Sequence, residues 1–518
     1  MSNKISNQLH ELIKALSPSE KRYFRIYAQR HQTSDKTGYV ALFDLIDAQE
    51  SYDEEQVKKK SSAKSVVKFT SIAKNRLYNQ VLKSLDAYHS GKSAADEVNR
   101  QIHYAEILYQ KALYLQCERL LHSAGKTAEK FEYLPGLLQV LKWQKRLAEI
   151  HQFETNPELS IQAIFEKEQD ALSELGQVSE LWKNKSLLFS RLFTQGQLRD
   201  KAEANKLLPE AKTLLSKISI INKSFDGEYL RNHSLSAIYF GLNDYFNSHT
   251  YLKANYDLMM SRIHMTLEDP SIYLATLTNL VYVTAKLNLL DQTASYLAQS
   301  KNLPIDITNA LTADLKMRHE INLYSLELAI CYLSGESMKA RTLIPEVAKW
   351  LNSRSQKLSQ VRKASFYTSL ANLCFMIGDY RKALKWNNEL LNTVSSNKAE
   401  DQYRFAEMHH ILIHYELGNF STALNATKRL QRNLDGMKNT LRFDDAFMNL
   451  MNSLTDPKIE SLLNDFTDFR AICEKVENDP YEKAIMEFFD FSAWSESKLR
   501  SIPFAEVLRE RAPTKDML

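Results

Sequence analysis

The chain has 518 residues, 44% hydrophobic and 25% charged, a balance that suits a folded protein and excludes a disordered one. Its 12 glycines and 11 prolines are too few for the turns of an all-β protein, and no glycine-rich phosphate loop occurs. The net charge is +4, so any strongly basic region has to be local.

Residues 1–92 read as a helical cap. Ile5, Leu9, Leu12, Ile13 and Leu16 fall on one helix face. Ser17-Pro18-Ser19-Glu20 then starts a second helix, with Ser17 as cap and Glu20 closing a capping box. Tyr39, Leu42, Phe43 and Ile46 form another apolar stripe. Asp53 followed by Gln56 opens a short helix, and a long one is expected from about Ser65 to Tyr88.

Between Gln56 and Leu85 the chain carries Lys58, Lys59, Lys60, Lys64, Lys68, Lys74, Arg76 and Lys83 and no acid. Such a stretch is either a solvated helix face or a surface that neutralises phosphates, with Phe69 and Tyr78 among the cations. A helix-turn-helix drawn through residues 39–60 would begin its reading helix with Asp53-Glu54-Glu55, and acids there repel DNA.

Residues 93–436 repeat. Gly378-Asp379-Tyr380 leads to Ala383, Gly335-Glu336-Ser337 to Ala340, and Gly418-Asn419-Phe420 to Ala423, at steps near 40 residues. Each copy lies between two apolar helical runs, so the unit is helix, tight turn, helix. Asn243-Asp244-Tyr245 with Ser248 and Leu252, and Tyr114, Cys117, Leu121 and Ala124, are weaker copies. Asn288, Leu290, Thr293, Leu297 and Ser300 keep the spacing poorly.

These units resemble tetratricopeptide (TPR) repeats, most closely from Tyr367 to Leu390, where Leu370, Ala371 and Cys374 supply the first helix and Ala383 and Leu390 the second. The resemblance implies an all-α, TPR-like helical-hairpin solenoid with helical N- and C-terminal caps. It also implies that first-helix residues line a concave face for an extended peptide or a partner helix. Carried onto this sequence, those positions are Tyr282; Asn322, Ser325 and Tyr332; Thr368, Asn372 and Phe375; and Met408, Tyr415 and Glu416. A side-chain amide such as Asn372 pairs with a peptide N–H and C=O together, and the aromatics offer anchors. The lysines with which TPR domains clamp a chaperone's C-terminal carboxylate are missing from the corresponding positions.

Residues 437–518 lose the repeat and read as a capping region. Asp479-Pro480-Tyr481-Glu482 has the form of a helix start, followed by Ile485, Phe488, Phe489, Phe491, Trp494 and Phe504.

No catalytic constellation survives inspection. Gly125-Lys126-Thr127 lacks the upstream glycine of a phosphate loop, since Leu120 stands there. Glu407, His410 and His414 share a helix face without a second ligand cluster. Cys117, Cys331, Cys374 and Cys473 are isolated in apolar contexts and read as buried reduced thiols. The N-terminus has no signal-peptide core, and no apolar run approaches the roughly 18 residues of a membrane span. The expectation is a cytoplasmic, non-enzymatic scaffold without cofactor or metal that binds a protein or peptide. The alternative is a regulator whose basic N-terminal region contacts nucleic acid while the array senses a peptide.

Overall fold

An L-residue in the left-handed helical region is disfavoured by about 1–2 kcal/mol, so a chain that must end one helix and start another at once places glycine there. Gly378 (φ +76°) does this in the computed structural model of the protein. The Gly378 N–H then bonds Phe375 O at 3.0 Å and the Asp379 N–H bonds Cys374 O at 2.9 Å, the paired closure of a Schellman turn. The structure describes residues 2–30, 38–63, 71–91, 93–150, 160–195, 224–242, 244–394, 401–435, 441–455, 463–477, 479 and 483–512. Every regular element among them is helical.

The chain divides into two compact units, residues 1–175 and 176–518. The first holds α1 (Ser2–Ala15), α2 (Pro18–Arg30), α3 (Gly38–Asp47), α4 (Glu54–Ala63), α5 (Ser71–His89), α6 (Ala94–Gln110), α7 (Tyr114–Lys130) and α8 (Leu134–Ile150), and the start of α9 (Ile161–Gln195). The capping box forms as the sequence predicts: Ser17 N–H to Glu20 Oε2 at 2.7 Å and Glu20 N–H to Ser17 Oγ at 3.3 Å. Leu9, Ile13, Phe24, Phe43, Leu77 and Val81 close one core, and Val98, Ile102, Cys117, Leu121, Ala124 and Val140 another. Gly125 sits inside α7, buried, where a Cβ would lie 3.5 Å from Val140 Cγ1, so it serves packing and not a phosphate loop.

The second unit is a run of TPR-like hairpins. They are α10 (Phe225–Gly241) with α11 (Tyr245–Ser261), then, after the short α12 (Ile263–Glu268), α13 (Pro270–Lys286) with α14 (Leu290–Lys301). After the short α15 (Ile305–Ala310) come α16 (Ala313–Leu333) with α17 (Ser337–Arg354), α18 (Gln360–Met376) with α19 (Tyr380–Val394), and α20 (Asp401–Glu416) with α21 (Phe420–Asp435). The same closing bond recurs at each turn: Asp244 N–H to Tyr239 O, Leu289 N–H to Thr284 O, Glu336 N–H to Cys331 O and Asn419 N–H to His414 O. Where the turn is strongest in sequence, the helices cross on a fully buried alanine, Ala340, Ala383 or Ala423. In the weaker copies a small hydroxyl residue stands there and bonds the first helix instead. Ser248 Oγ donates to Ser236 O at 2.9 Å, and Thr293 Oγ1 meets Thr284 Oγ1 at 3.0 Å.

After the hairpins come α22 (Arg442–Thr455), α23 (Leu463–Glu477), α24 (Phe491–Arg500) and α25 (Phe504–Arg511). The helix expected to start at Asp479-Pro480-Tyr481-Glu482 falls largely outside the described residues. From Lys483 to Glu487 the chain is a short 3₁₀ turn, Phe488–Asp490 is not helical, and the helix begins at Phe491. Asp490 is its cap, accepting the Ala493 N–H at 2.7 Å.

Two turn glycines separate conformational from packing cost. Gly378 has nothing within 4 Å of an added Cβ, whereas at Gly335 (φ +61°) a Cβ would strike the backbone of α25 at Ala505 O and Arg509 N. Gly378→Ala is expected to lose about 1–2 kcal/mol in urea unfolding. Gly335→Ala is expected to lose clearly more, and to loosen α25 in hydrogen exchange.

Candidate functional site

The first helices of three successive hairpins, α16, α18 and α20, each contribute side chains to one shared surface. It is occupied by the chain itself. The segment Phe488–Asp490, here called the strap, lies across it in non-helical form.

Two side chains fix the strap's backbone. Asn372 Nδ2 on α18 donates to Phe488 O at 2.6 Å, and the hydroxyl of Tyr332 on α16 accepts the Asp490 N–H at 3.1 Å. Between them Phe489 is inserted, 1% exposed, against Phe375 (ring centroids 5.2 Å, near perpendicular), His409 (5.3 Å) and Phe504 (5.2 Å). Phe488 stacks on Phe405 at 5.2 Å. Beyond the strap, Trp494 Nε1 donates to Glu416 Oε1 at 2.7 Å, and Lys498 Nζ reaches Glu416 Oε2 at 2.7 Å. Tyr415 stands edge-on to Trp494, with Lys498 Nζ 5.9 Å from its ring centre.

Magnitudes rank these contacts. A net hydrogen bond contributes about 1 kcal/mol, whereas burying a phenylalanine side chain contributes about 1.5–3 kcal/mol. Phe489, Trp494 and Phe504 therefore hold the C-terminal region down, and Asn372 and Tyr332 set its register. The clasp is incomplete: Asn372 Oδ1 is buried without a hydrogen-bond partner among the described residues. Its amide meets a carbonyl of the strap but no strap N–H.

His409 lies beneath the strap, fully buried among Phe375, Phe405 and Phe489, and neither ring nitrogen has a partner among the described residues. A desolvated cation between aromatic faces gains about 2 kcal/mol or somewhat more, still less than the several kcal/mol of desolvating an ion. Burial therefore wins, and with the charge of His410 it pushes the imidazole down to about 3. Burial, then Asp490, holds the Tyr332 hydroxyl well above its ordinary range, so it stays a neutral acceptor.

The other residues singled out by sequence behave differently. Tyr282 is partly exposed on α13, its ring 5.6 Å from Phe240 and its hydroxyl raised by burial and then by Glu487. Asn322 is half-buried, and Ser325 bonds Ile321 O within its own helix at 2.8 Å. Thr368 likewise bonds Ala364 O at 2.9 Å. Met408 is a correction: it is completely buried in the core, because α20 packs apolar residues on more than one side and its period does not isolate a single face.

The basic stretch is also revised. Lys74 is 2% exposed and paired with Glu54 at 3.0 Å, and Lys58 is paired with Glu54 and Glu55, both at 3.1 Å. The acids that neutralise them lie just before the stretch. Lys59, Lys60 and Arg76 are exposed, while Lys64 and Lys68 lie outside the described residues.

Glu407 is bound to Arg429 (2.6 Å) and Tyr403 (3.0 Å), and the rings of His410 and His414 are 4.6 Å apart. Among the described residues no three His, Cys, Asp or Glu side chains converge as a metal site requires. All four cysteines are free and buried, and burial lifts Cys374 to about 12, which leaves its thiol inert. No helix among the described residues is long and apolar enough to cross a membrane.

The Trp494 and Lys498 bonds to Glu416 are separable, while the Tyr380 hydroxyl bonds the same carboxylate. Glu416→Gln keeps an acceptor for the Trp494 indole and loses the charge facing Lys498, whose side chain is 29% exposed, so a loss of about 1 kcal/mol or less is expected. Glu416→Leu strands the buried indole N–H, also takes the acceptor from the Tyr380 hydroxyl, and is expected to cost about 1–3 kcal/mol more. Urea unfolding of the two variants measures the difference, and equal losses would refute the assignment.

No protein-family model matches the chain, and no curated protein matches it in sequence. Among solved structures it is similar to the apo form of the quorum sensor NprR from B. thuringiensis. The identity is 14%, over 75% of this chain and 98% of that one, with a TM-score of 0.38.

Proposed function

We propose that this chain is a non-enzymatic protein-interaction module whose first-helix face over α16, α18 and α20 receives extended peptide backbone, its own strap being the resident occupant. The observation that carries this reading is the clasp itself. Asn372 and Tyr332 bind backbone atoms one residue to either side of Phe489, a mode of recognition that depends little on the bound sequence. The aromatic seat supplies selectivity, and Glu416 adds a preference for an indole or a cation further along.

A partner suited to this face is an extended protein segment that places an aromatic side chain where Phe489 sits. A backbone N–H brought to Asn372 Oδ1 would complete the pairing that the strap leaves half made. The paired state of Lys58 and Lys74 gives no support to the reading in which the N-terminal region grips nucleic acid.

The test uses a labelled synthetic peptide copying Ile485–Lys498 and the full-length protein at pH 7.5. Phe489→Ala weakens the resident strap, and the peptide is expected to bind that variant at least about tenfold more tightly than the wild type, a gain of about 1.4 kcal/mol. Adding Asn372→Ala is expected to remove most of that gain. Absence of peptide binding to a Phe489→Ala protein that keeps its helical circular dichroism would sink the proposal.

A further inference from the structure

We propose that the strap is an acid-released latch, with His409 as the group that senses the proton. The proposal concerns the face just described but requires no external ligand.

The geometry carries it. An imidazole with both nitrogens buried and unpartnered is rare, and a phenylalanine would fill the same space without a polar atom. The neutral ring tolerates this cage. The protonated ring presents two N–H donors, and Phe375, Phe405 and Phe489 offer no acceptor. Of these three walls, Phe375 and Phe405 belong to the packed helices α18 and α20. Phe489 belongs to the strap, whose backbone is clasped by the Asn372 and Tyr332 side chains. Lifting the strap is thus the direct way to let water reach the ring.

Among the described residues, the surrounding charges do not supply a ready counter-ion. On α20, Glu407 is bound to Arg429 and Glu416 to Lys498, while His410 and His414 would add positive charge of their own. On the strap side, Asp490 is held by Arg511 at 3.3 Å, and Glu487 faces Tyr245 and Tyr282. Asp379, at the turn after α18, is paired with Lys382 at 2.8 Å, while α16 contributes the Tyr332 phenol and α25 the Phe504 ring.

The sign follows from linkage. His409 titrates near 3 with the strap closed and near the ordinary 6.5 once hydrated, so the open form binds the proton more readily. Closure is therefore fully favoured above about pH 6.5 and weakens as pH falls towards 3. Asp490 opposes this, because its buried carboxyl is raised and the closed form takes up that proton more easily.

Hydrogen exchange of the full-length protein tests the latch, read at the Asp490 amide and corrected for its intrinsic rate. The opening constant is expected to rise about 30-fold between pH 7.5 and pH 5, the factor for one proton whose reference pKa is 6.5. The Cys374 amide inside α18 should stay protected. In His409→Phe, or in His409→Leu should the first not fold, the rise should disappear. A flat wild-type response, a rise that persists without the histidine, or parallel loss of protection at Cys374 would each overturn the latch. Peptide binding at pH 7.5 is a separate readout, so either proposal can fail while the other stands.

Discussion

The docking of the C-terminal region on the hairpin face centres on one apolar insertion, the side chain of Phe489 between α18 and α20. Stacked hairpins bury their sides against one another, yet their first-helix faces remain to be covered. Phe375, Phe405 and His409 would otherwise stand open to water. By filling that gap from a distant part of the chain, Phe489 brings the backbone atoms of its neighbours to Asn372 and Tyr332. It also sets α24 so that Trp494 meets Glu416. The polar contacts follow from the apolar one.

The face therefore has two roles in tension. As a covered surface it completes the core, and the burial of Phe489, Phe491 and Trp494 argues for permanence. As a clasp it leaves Asn372 Oδ1 and both nitrogens of His409 unpartnered, which a core selected for stability alone would avoid. Unsatisfied polar atoms gathered under one short segment mark the place where closure is least secure.

Much of this was legible in the sequence, and the failures have physical causes. Gly335, Gly378 and Gly418 announce their turns because glycine is the cheapest residue at positive φ, Asn288 does so weakly, and Ala112 and Glu132 adopt the same conformation without announcing it. The positions that the tetratricopeptide resemblance carried over include Tyr332, Asn372, Phe375, Tyr415 and Glu416, and each of these meets the C-terminal region. What fills the face was not legible, because Asp490 meets Tyr332 across 158 positions and Phe488 meets Asn372 across 116. The helix-start pattern at Asp479-Pro480 further concealed the non-helical strap. Lys74 was read as part of a basic surface because its partner Glu54 lies 20 positions earlier, outside the stretch whose charge was counted.

The distance between clasp and strap also has a temporal side. Repeat hairpins form from contacts between neighbours, so α16, α18 and α20 are complete well before Phe488 is synthesised. At roughly 5–20 residues per second, the 72 positions from Glu416, the end of α20, to Phe488 take on the order of ten seconds to translate. For that interval every newly made molecule displays an aromatic-lined, backbone-binding surface to the cell. The chain's own strap closes it last, and whatever meets the nascent protein first has a head start.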